Sequence, residues 1–333
     1  MRILIISRYK SFYADHQLPF VTEQGEAIRA LGYEVEFFLM EGNYWHQYFS
    51  LRKKIRDFKP DIVHAHYGLT ATMAEMQSLA PVVTTFHNGE THDWYVNFFT
   101  SLMSLRAKYV IYVAQHIHDL LYFKAKNSII QPCGVPKGKM VITDYTEARK
   151  QLDWDENKKY IVFGGAFDDL RKNYPMLREA VEKIEGTNDW KPLKGGEELG
   201  NVVCIELYGL SRAECVLRMC AADVFALPSH SEGSPQALKE AMAVNCPCIA
   251  TDIADVRVLF GDEPGHWILR NPKNTPERWD ADEYSLDELV ALLKEAFAYG
   301  QRTHGRDQIE KLGLFNEQIA ERIVNIYREI MNV

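Results

Sequence analysis

Residues 226–252, ALPSHSEGSPQALKEAMAVNCPCIATD, run from an apolar strand through a polar loop into a helix and on to another strand. The first strand ends at Pro228, and Pro235 falls where a helix begins, a position that suits its fixed φ and missing N–H. Amides around Ser234, Gln236 and Ala237 then have no intrahelical acceptor, and the positive end of the helix dipole lies behind them. Such a terminus suits an anion, above all a phosphate. Glu232 lies in the loop and Glu240 eight positions later, about one and a half turns into the helix. At that spacing the pair is unlike a shared-proton or metal site. Two acids flanking an extended ligand, each accepting from hydroxyls, fit better, and each charge-assisted bond contributes about 1.5–3 kcal/mol. A dipole-stabilised loop acid and a plain surface Glu fit the residues equally.

Outward from this stretch the same grammar repeats. In the second half, strands are expected at 159–165, 200–209, 223–229, 247–252 and 266–270, and helices at 174–186, 215–222, 235–245, 286–300 and 316–333. The segment 187–199 reads as an exposed loop. In the first half, strands at 2–7, 33–40, 61–67, 81–87 and 108–114 alternate with helices at 21–32, 50–60 and 70–80. Strands separated by single helices make right-handed βαβ units and a mainly parallel sheet. At 333 residues two domains are expected. The divisions are 1–145 for an N-terminal domain, 146–158 for a polar linker, 159–315 for a C-terminal domain, and 316–333 for a helix packing back toward the first domain. The fold class is α/β, two Rossmann-like domains whose sheets face a cleft, where open parallel sheets bind ligands beyond the carboxyl ends of their strands.

The totals exclude several classes. Apolar residues make up 47% and charged residues 25%, a globular composition. The opening MRILIISRYK is a short strand carrying Arg2, unlike a signal peptide, and no run approaches a membrane span. Six scattered cysteines, with Cys246-Pro-Cys248 in an apolar turn, point to reduced thiols and a cytoplasmic protein. The net charge of -8 disfavours nucleic acid. It divides unevenly, with 17 basic against 14 acidic residues in 1–150 and 21 against 32 in 151–333. The weakly basic first half, with Arg52, Lys53, Lys54 and Arg56, suits an anionic acceptor or membrane as well as a solvated helix face.

SEGSPQALKEAMA resembles the acid-x7-acid segment of the retaining glycosyltransferases of the GT-B fold, family 4 (group 1). The likeness extends to RILIIS, DIVHAH, TFHNGETHD, the CGV at 133–135, FGG with RKN after it, and ADVFALPS. It implies a donor held by the C-terminal half. Glu240 would bind the ribose hydroxyls, and Glu232 would approach the transferred sugar and the phosphates. Backbone around Ser234, Pro235, Gln236 and Ala237 would face the distal phosphate, with Gly165 at the end of the first C-domain strand. Lys172 matches the family's diphosphate lysine. Its arginine partner is replaced by Ala166, with Arg171 nearby to supply charge, and the usual Asn of the NGV segment is replaced by Cys133. His87, ending VVTTFH, matches the histidine that contacts the transferred hexose.

Other first-half residues are acceptor-side candidates. Eight of the eleven histidines lie in 1–150, but the HxH at 64–66 has no third ligand placed by spacing, so no metal is assigned. His66 and Tyr67 end the third strand, and Glu90 and Asp93 are carboxylates near His87 that could take an acceptor proton. The loop 7–19 offers Arg8, Lys10, Tyr13 and His16, aromatic and basic groups suited to a sugar or an anionic acceptor. The resemblance implies transfer with retention, without a metal cofactor, by front-side attack assisted by the leaving phosphate. A uridine diphosphate sugar is favoured over guanosine diphosphate mannose. The acceptor is expected to be a saccharide or lipid-linked hydroxyl, with peripheral contact at the inner membrane face. An epimerase of the same plan and a non-catalytic nucleotide-sugar-binding protein are the competing readings. The oligomeric state is not readable.

Overall fold

The computed structural model describes residues 1–9, 18–270 and 283–332. In chain order the first elements are β1 (Arg2–Arg8), α1 (Pro19–Ala30), β2 (Glu34–Met40), α2 (Tyr44–Phe58), β3 (Ile62–His66) and α3 (Gly68–Glu75). Then come β4 (Val82–Phe86), α4 (Trp94–Ser104), β5 (Tyr109–Tyr112), α5 (Gln115–Leu120) and β6 (Ser128–Ile130). The second sheet begins after α6 (Tyr145–Gln151) with β7 (Lys159–Phe163), α7 (Tyr174–Glu185), β8 (Lys191–Leu193), β9 (Gly196–Leu199) and β10 (Val202–Glu206). It continues through α8 (Arg212–Ala221), β11 (Val224–Leu227), α9 (Gln236–Ala243), β12 (Cys248–Thr251), α10 (Val256–Phe260) and β13 (His266–Leu269). Helices α11 (Glu283–Tyr299), α12 (Gly305–Lys311) and α13 (Asn316–Met331) close the chain.

The chain divides into two compact units, Met1–Pro136 with Leu314–Val333, and Lys137–Gly313. The first holds a sheet in the order β2-β1-β3-β4-β5-β6, every adjacent pair parallel. Strands β1, β3 and β4 are buried on both faces because helices cover both, and β3 and β4 carry His64, His66, Thr84 and Thr85 inside among their apolar residues. Helix α13 belongs to this unit, and its Tyr327 is fully buried. Gly134 admits it closely: a Cβ there would come within 2.5 Å of Asn316 Oδ1.

The second unit orders its sheet β13-β12-β11-β7-β10-β9-β8. From β7 the chain crosses to β10 on one side and returns to β11 on the other, so the carboxyl ends of β7 and β11 lie at a topological switch point. The segment 146–158, expected as a linker, lies instead within this unit. There α6 is capped by Asp144, whose Oδ1 accepts from Thr146 N at 2.9 Å, and Arg149 donates to Asp223 Oδ2 at 2.6 Å.

Three details differ from the sequence reading. The loop expected over 187–199 contains the hairpin β8–β9, antiparallel at the sheet edge and turning at Gly195 with φ +73°. Its polar sequence hid it, since an edge strand has little apolar face to show. Helix α2 begins six residues before position 50 because Asn43 accepts from Trp45 N at 2.9 Å. The short helices α5 and α12 carry too few turns to show a periodicity.

Candidate functional site

Two loops meet at the switch point of the second unit. His230 N donates to Arg171 O at 2.8 Å, tying the loop after β11 to the loop after β7. Lys172 Nζ then reaches Glu232 Oε1 at 2.5 Å, and Ser229 Oγ donates to the same oxygen at 2.9 Å. Gly165 makes room for that lysine: a Cβ there would lie 2.9 Å from Lys172 Cγ. Both side chains of the pair are mostly buried, at 16% and 12% exposure, so their attraction is screened less than a surface pair's. Arg171, expected to replace the charge missing at Ala166, is instead held by Asp169 on its own loop, with Nη2 to Oδ2 at 2.8 Å. A carboxylate two residues away is the nearer partner for an exposed guanidinium.

Helix α9 starts at Gln236 with Pro235 as its N-cap, one residue later than expected. Beneath its first turn lies a polar cluster that the sequence did not reveal. Ser234 Oγ donates to Asp255 Oδ2 at 2.6 Å, and Lys239 Nζ donates to Ser234 Oγ at 3.2 Å. Lys239 is fully buried. Burial pushes the Asp255 carboxyl above its usual range, opposed by the Lys239 charge. Glu240, one turn on, pairs with Arg212 from the start of α8. Arg212 is the first residue of α8, whose start is capped by a box in which Ser211 and Glu214 exchange hydrogen bonds. Glu232, Ser234, Gln236 and Ala237 stay partly exposed, so the helix start is open to a ligand.

In the first unit His87 follows β4. Its Nε2 is 3.0 Å from His66 Nδ1, its ring lies 4.5 Å from that of Tyr67, and Cys133 Sγ is 3.9 Å from its Nδ1. The backbone is strained on both sides of this contact, with Tyr67 at φ +71° and Asn88 at φ +129°, a pattern common at functional sites. His66, expected at a rim, is fully buried and stacks on His64 at 4.6 Å. Burial drives its pKa to about 3. Burial, with the like charges of His66 and His87 added, also holds His64 well below the usual histidine range. Both ring nitrogens of His64 are engaged, Nδ1 with the Tyr327 hydroxyl at 2.6 Å and Nε2 with Thr85 Oγ1 at 2.7 Å. The histidine pair at 64–66 is therefore a packed hydrogen-bonded core.

Glu90 also turns inward, contrary to the expectation that it takes an acceptor proton. Its carboxylate accepts from Gly68 N at 2.6 Å, Asn88 N at 3.0 Å and His87 N at 3.2 Å, fastening the two loops. Burial raises its pKa against those bonds. Asp93, at the N-cap of α4, remains exposed, as does Arg8 at the end of β1. Lys10, Tyr13 and His16 lie outside the described residues.

Comparison with known proteins bears on both units. A family described as Glycosyltransferase Family 4 matches residues 21–136, and one described as Glycosyl transferases group 1 matches 158–281. Over 241 residues the chain is 28% identical to TuaC of Bacillus subtilis, a protein provisionally assigned as a teichuronic acid biosynthesis glycosyltransferase, covering 66% of this chain and 60% of that one. It is 25% identical over 217 residues to the D-inositol 3-phosphate glycosyltransferase of Segniliparus rotundus, covering 60% of this chain and 46% of that one. The match thus spans about half the length of these curated relatives. The solved structure of sucrose-phosphate synthase from Thermosynechococcus elongatus superposes with a TM-score of 0.76 over 99% of both chains at 17% identity. HepE of Anabaena, solved in complex with UDP-glucose, gives 0.69 over 100% of this chain and 98% of that one at 14% identity. The fold is thus that of the GT-B glycosyltransferases.

Proposed function

Because the chain belongs to the group 1 glycosyltransferases of family 4, we propose that it moves a sugar from a nucleoside diphosphate to a hydroxyl of a saccharide or lipid-linked acceptor. The setting is synthesis of a cell-surface polysaccharide or glycoconjugate, in the cytoplasm with peripheral contact at the inner membrane face. The second unit binds the donor and the first recognises the acceptor. The observation that carries this reading is the Lys172–Glu232 pair beside the open start of α9, with Glu240 eight residues beyond Glu232.

The diphosphate lies against the first-turn amides of α9 and draws Lys172 from Glu232. Glu240 accepts from the ribose hydroxyls, with Arg212 keeping its carboxylate in place. Glu232 then faces the sugar next to the phosphates. As the bond from the anomeric carbon to the phosphate oxygen breaks, negative charge gathers on the diphosphate, where Lys172 and the helix dipole stabilise it. The acceptor oxygen attacks the same face, its proton passes to the departing phosphate oxygen, and the configuration is retained. These groups supply the stabilisation without a metal. His87 serves sugar recognition, and Asp93, Tyr67 and Arg8 remain the acceptor-side groups within reach of solvent.

A uridine diphosphate sugar is the favoured donor, supported by the UDP-glucose complex of HepE, with guanosine diphosphate mannose second. Thermal-shift screening of nucleotide sugars, then assay of released diphosphate with and without acceptor, tests the reading. Transfer requires release that depends on acceptor, with an α-linked product from an α-linked donor. Sugar interconversion without acceptor would favour an epimerase, and binding without either product would favour a non-catalytic protein.

A further inference from the structure

Helix α4 is built inside out. Its buried residues are Asn97, Thr100, Ser101 and Ser104, while Trp94, Tyr95, Phe98, Phe99, Leu102 and Leu105 are exposed, Trp94 at 72% and Phe99 at 59%. Small polar residues on the inner face let the helix approach α3 closely, since a Cβ on Gly68 would come within 2.7 Å of Thr100 Cβ. Their hydroxyls are satisfied within the helix, Ser101 Oγ donating to Asn97 O at 2.5 Å and Ser104 Oγ to Ser101 O at 2.7 Å. The fold therefore places on the outside the aromatic side chains that burial would ordinarily claim.

The patch continues onto the next segment. Asn97 Nδ2 donates to Leu120 O at 2.9 Å, and its Oδ1 accepts from Tyr122 N at 3.0 Å. This holds Leu120 and Tyr122, exposed at 47% and 60%, beside the first turns of α4. Contiguous exposed apolar surface of this kind marks an interaction site. Its composition and flanks identify the partner. Trp and Tyr among Phe and Leu suit the layer between headgroups and acyl chains, and a helix of 11 residues is too short to cross a bilayer. From 94 to 130 the basic residues are Arg106, Lys108, Lys124 and Lys126, all exposed, against one acid, Asp119. Three of those four are lysines, which protein interfaces avoid and anionic headgroups attract.

We propose that α4 and the adjoining 120–122 segment seat the first unit on the headgroup–acyl boundary of an anionic lipid bilayer. Helix α4 begins seven residues after His87, so the docked surface lies next to the loop assigned to sugar recognition, where the hydroxyl of a lipid-linked acceptor emerges. The proposal deepens the reading above and rests on it for the acceptor, but the two fail separately.

Sedimentation of the full chain with vesicles of equal parts phosphatidylcholine and phosphatidylglycerol tests it, with UDP titration on the same samples. Wild type is expected to pellet with the mixed vesicles and less with phosphatidylcholine alone. The variants Phe98→Ser/Phe99→Ser and Trp94→Ser are expected to lose about tenfold in partitioning while binding UDP as wild type does. Lys124→Glu/Lys126→Glu should weaken pelleting mainly with the anionic vesicles. Wild type staying in the supernatant, or apolar variants pelleting unchanged, would overturn the docking surface. So would variants that abolish a dimer seen by light scattering yet pellet normally, because the patch would then bind a second copy. Loss of UDP binding by wild type would count against the donor reading alone.

Discussion

At the carboxyl end of its sheet the first unit stacks rings, whereas the second pairs full charges. His64, His66 and His87 form a stacked column in which His64 is hydrogen-bonded to Thr85 and Tyr327 and His66 to His87, and burial keeps the inner two neutral. Across the corresponding region of the second unit, Glu232 meets Lys172 and Glu240 meets Arg212. A buried ring needs a partner for each nitrogen and offers little charge to a ligand. A buried ion pair carries two charges that a diphosphate and a ribose can recruit, though its own net contribution to stability is small. The difference separates support from chemistry: removing a partner of the two inner rings should damage stability, and removing a charge should damage binding or turnover.

The largest effect is expected at Lys172. Lys172→Met should lower turnover about 100-fold, the scale of a lost charge-stabilising donor, while Tm stays within a few degrees of wild type; steady-state kinetics beside a melting curve checks both. Glu240→Ala comes next and should weaken UDP binding about 10- to 100-fold, read by calorimetry, with little change in fold. A dissociation constant equal to wild type would remove the ribose assignment.

Tyr327→Phe probes the opposite side of the comparison. It removes the hydroxyl from His64 Nδ1 and should destabilise the chain by about 1–3 kcal/mol, measured by urea unfolding, while the UDP dissociation constant remains unchanged. A weakened UDP affinity would show that the two regions are not separable in this way.

The smallest effect concerns pH. Glu75 lies under the first sheet with Oε1 accepting from Thr84 at 2.7 Å, and burial raises its pKa to about 7. A carboxyl raised in the folded state favours folding when protonated. Its contribution is complete below about pH 4.5 and is lost as pH rises through about 7. Glu75→Gln should therefore gain a few degrees in Tm over wild type between acidic and mildly alkaline buffer. His64 and His66 act in the other direction. Their depressed values give stability that is present above about 6.5 and lost on acidification, so they leave the Glu75 signal intact at higher pH.

Much of this was legible in the residues because the relevant signals are local. The runs at β1, β7 and β11 are mostly apolar, and SEGSPQALKEAMA places Glu232, Ser234 and Glu240 on one loop and helix. What stayed hidden depends on contacts across the fold. Arg212 lies 28 residues from Glu240, and Asp255 lies 21 from Ser234, with no spacing rule to join them. Lys239 could not be told from an exposed lysine because only tertiary packing buries it. Glu90 looked like an exposed loop acid, and only folding shows that three backbone amides occupy its oxygens. The outward aromatics of α4 likewise resemble a core stripe until Asn97, Thr100, Ser101 and Ser104 are seen to take the inner face.

The central claim is that the start of α9 receives a diphosphate. Amide hydrogen exchange over 229–241, with and without UDP, tests it most directly. Strong slowing confined to this stretch and the 165–172 loop is the predicted result. Unchanged exchange there, with protection appearing elsewhere on saturation by UDP, would contradict it.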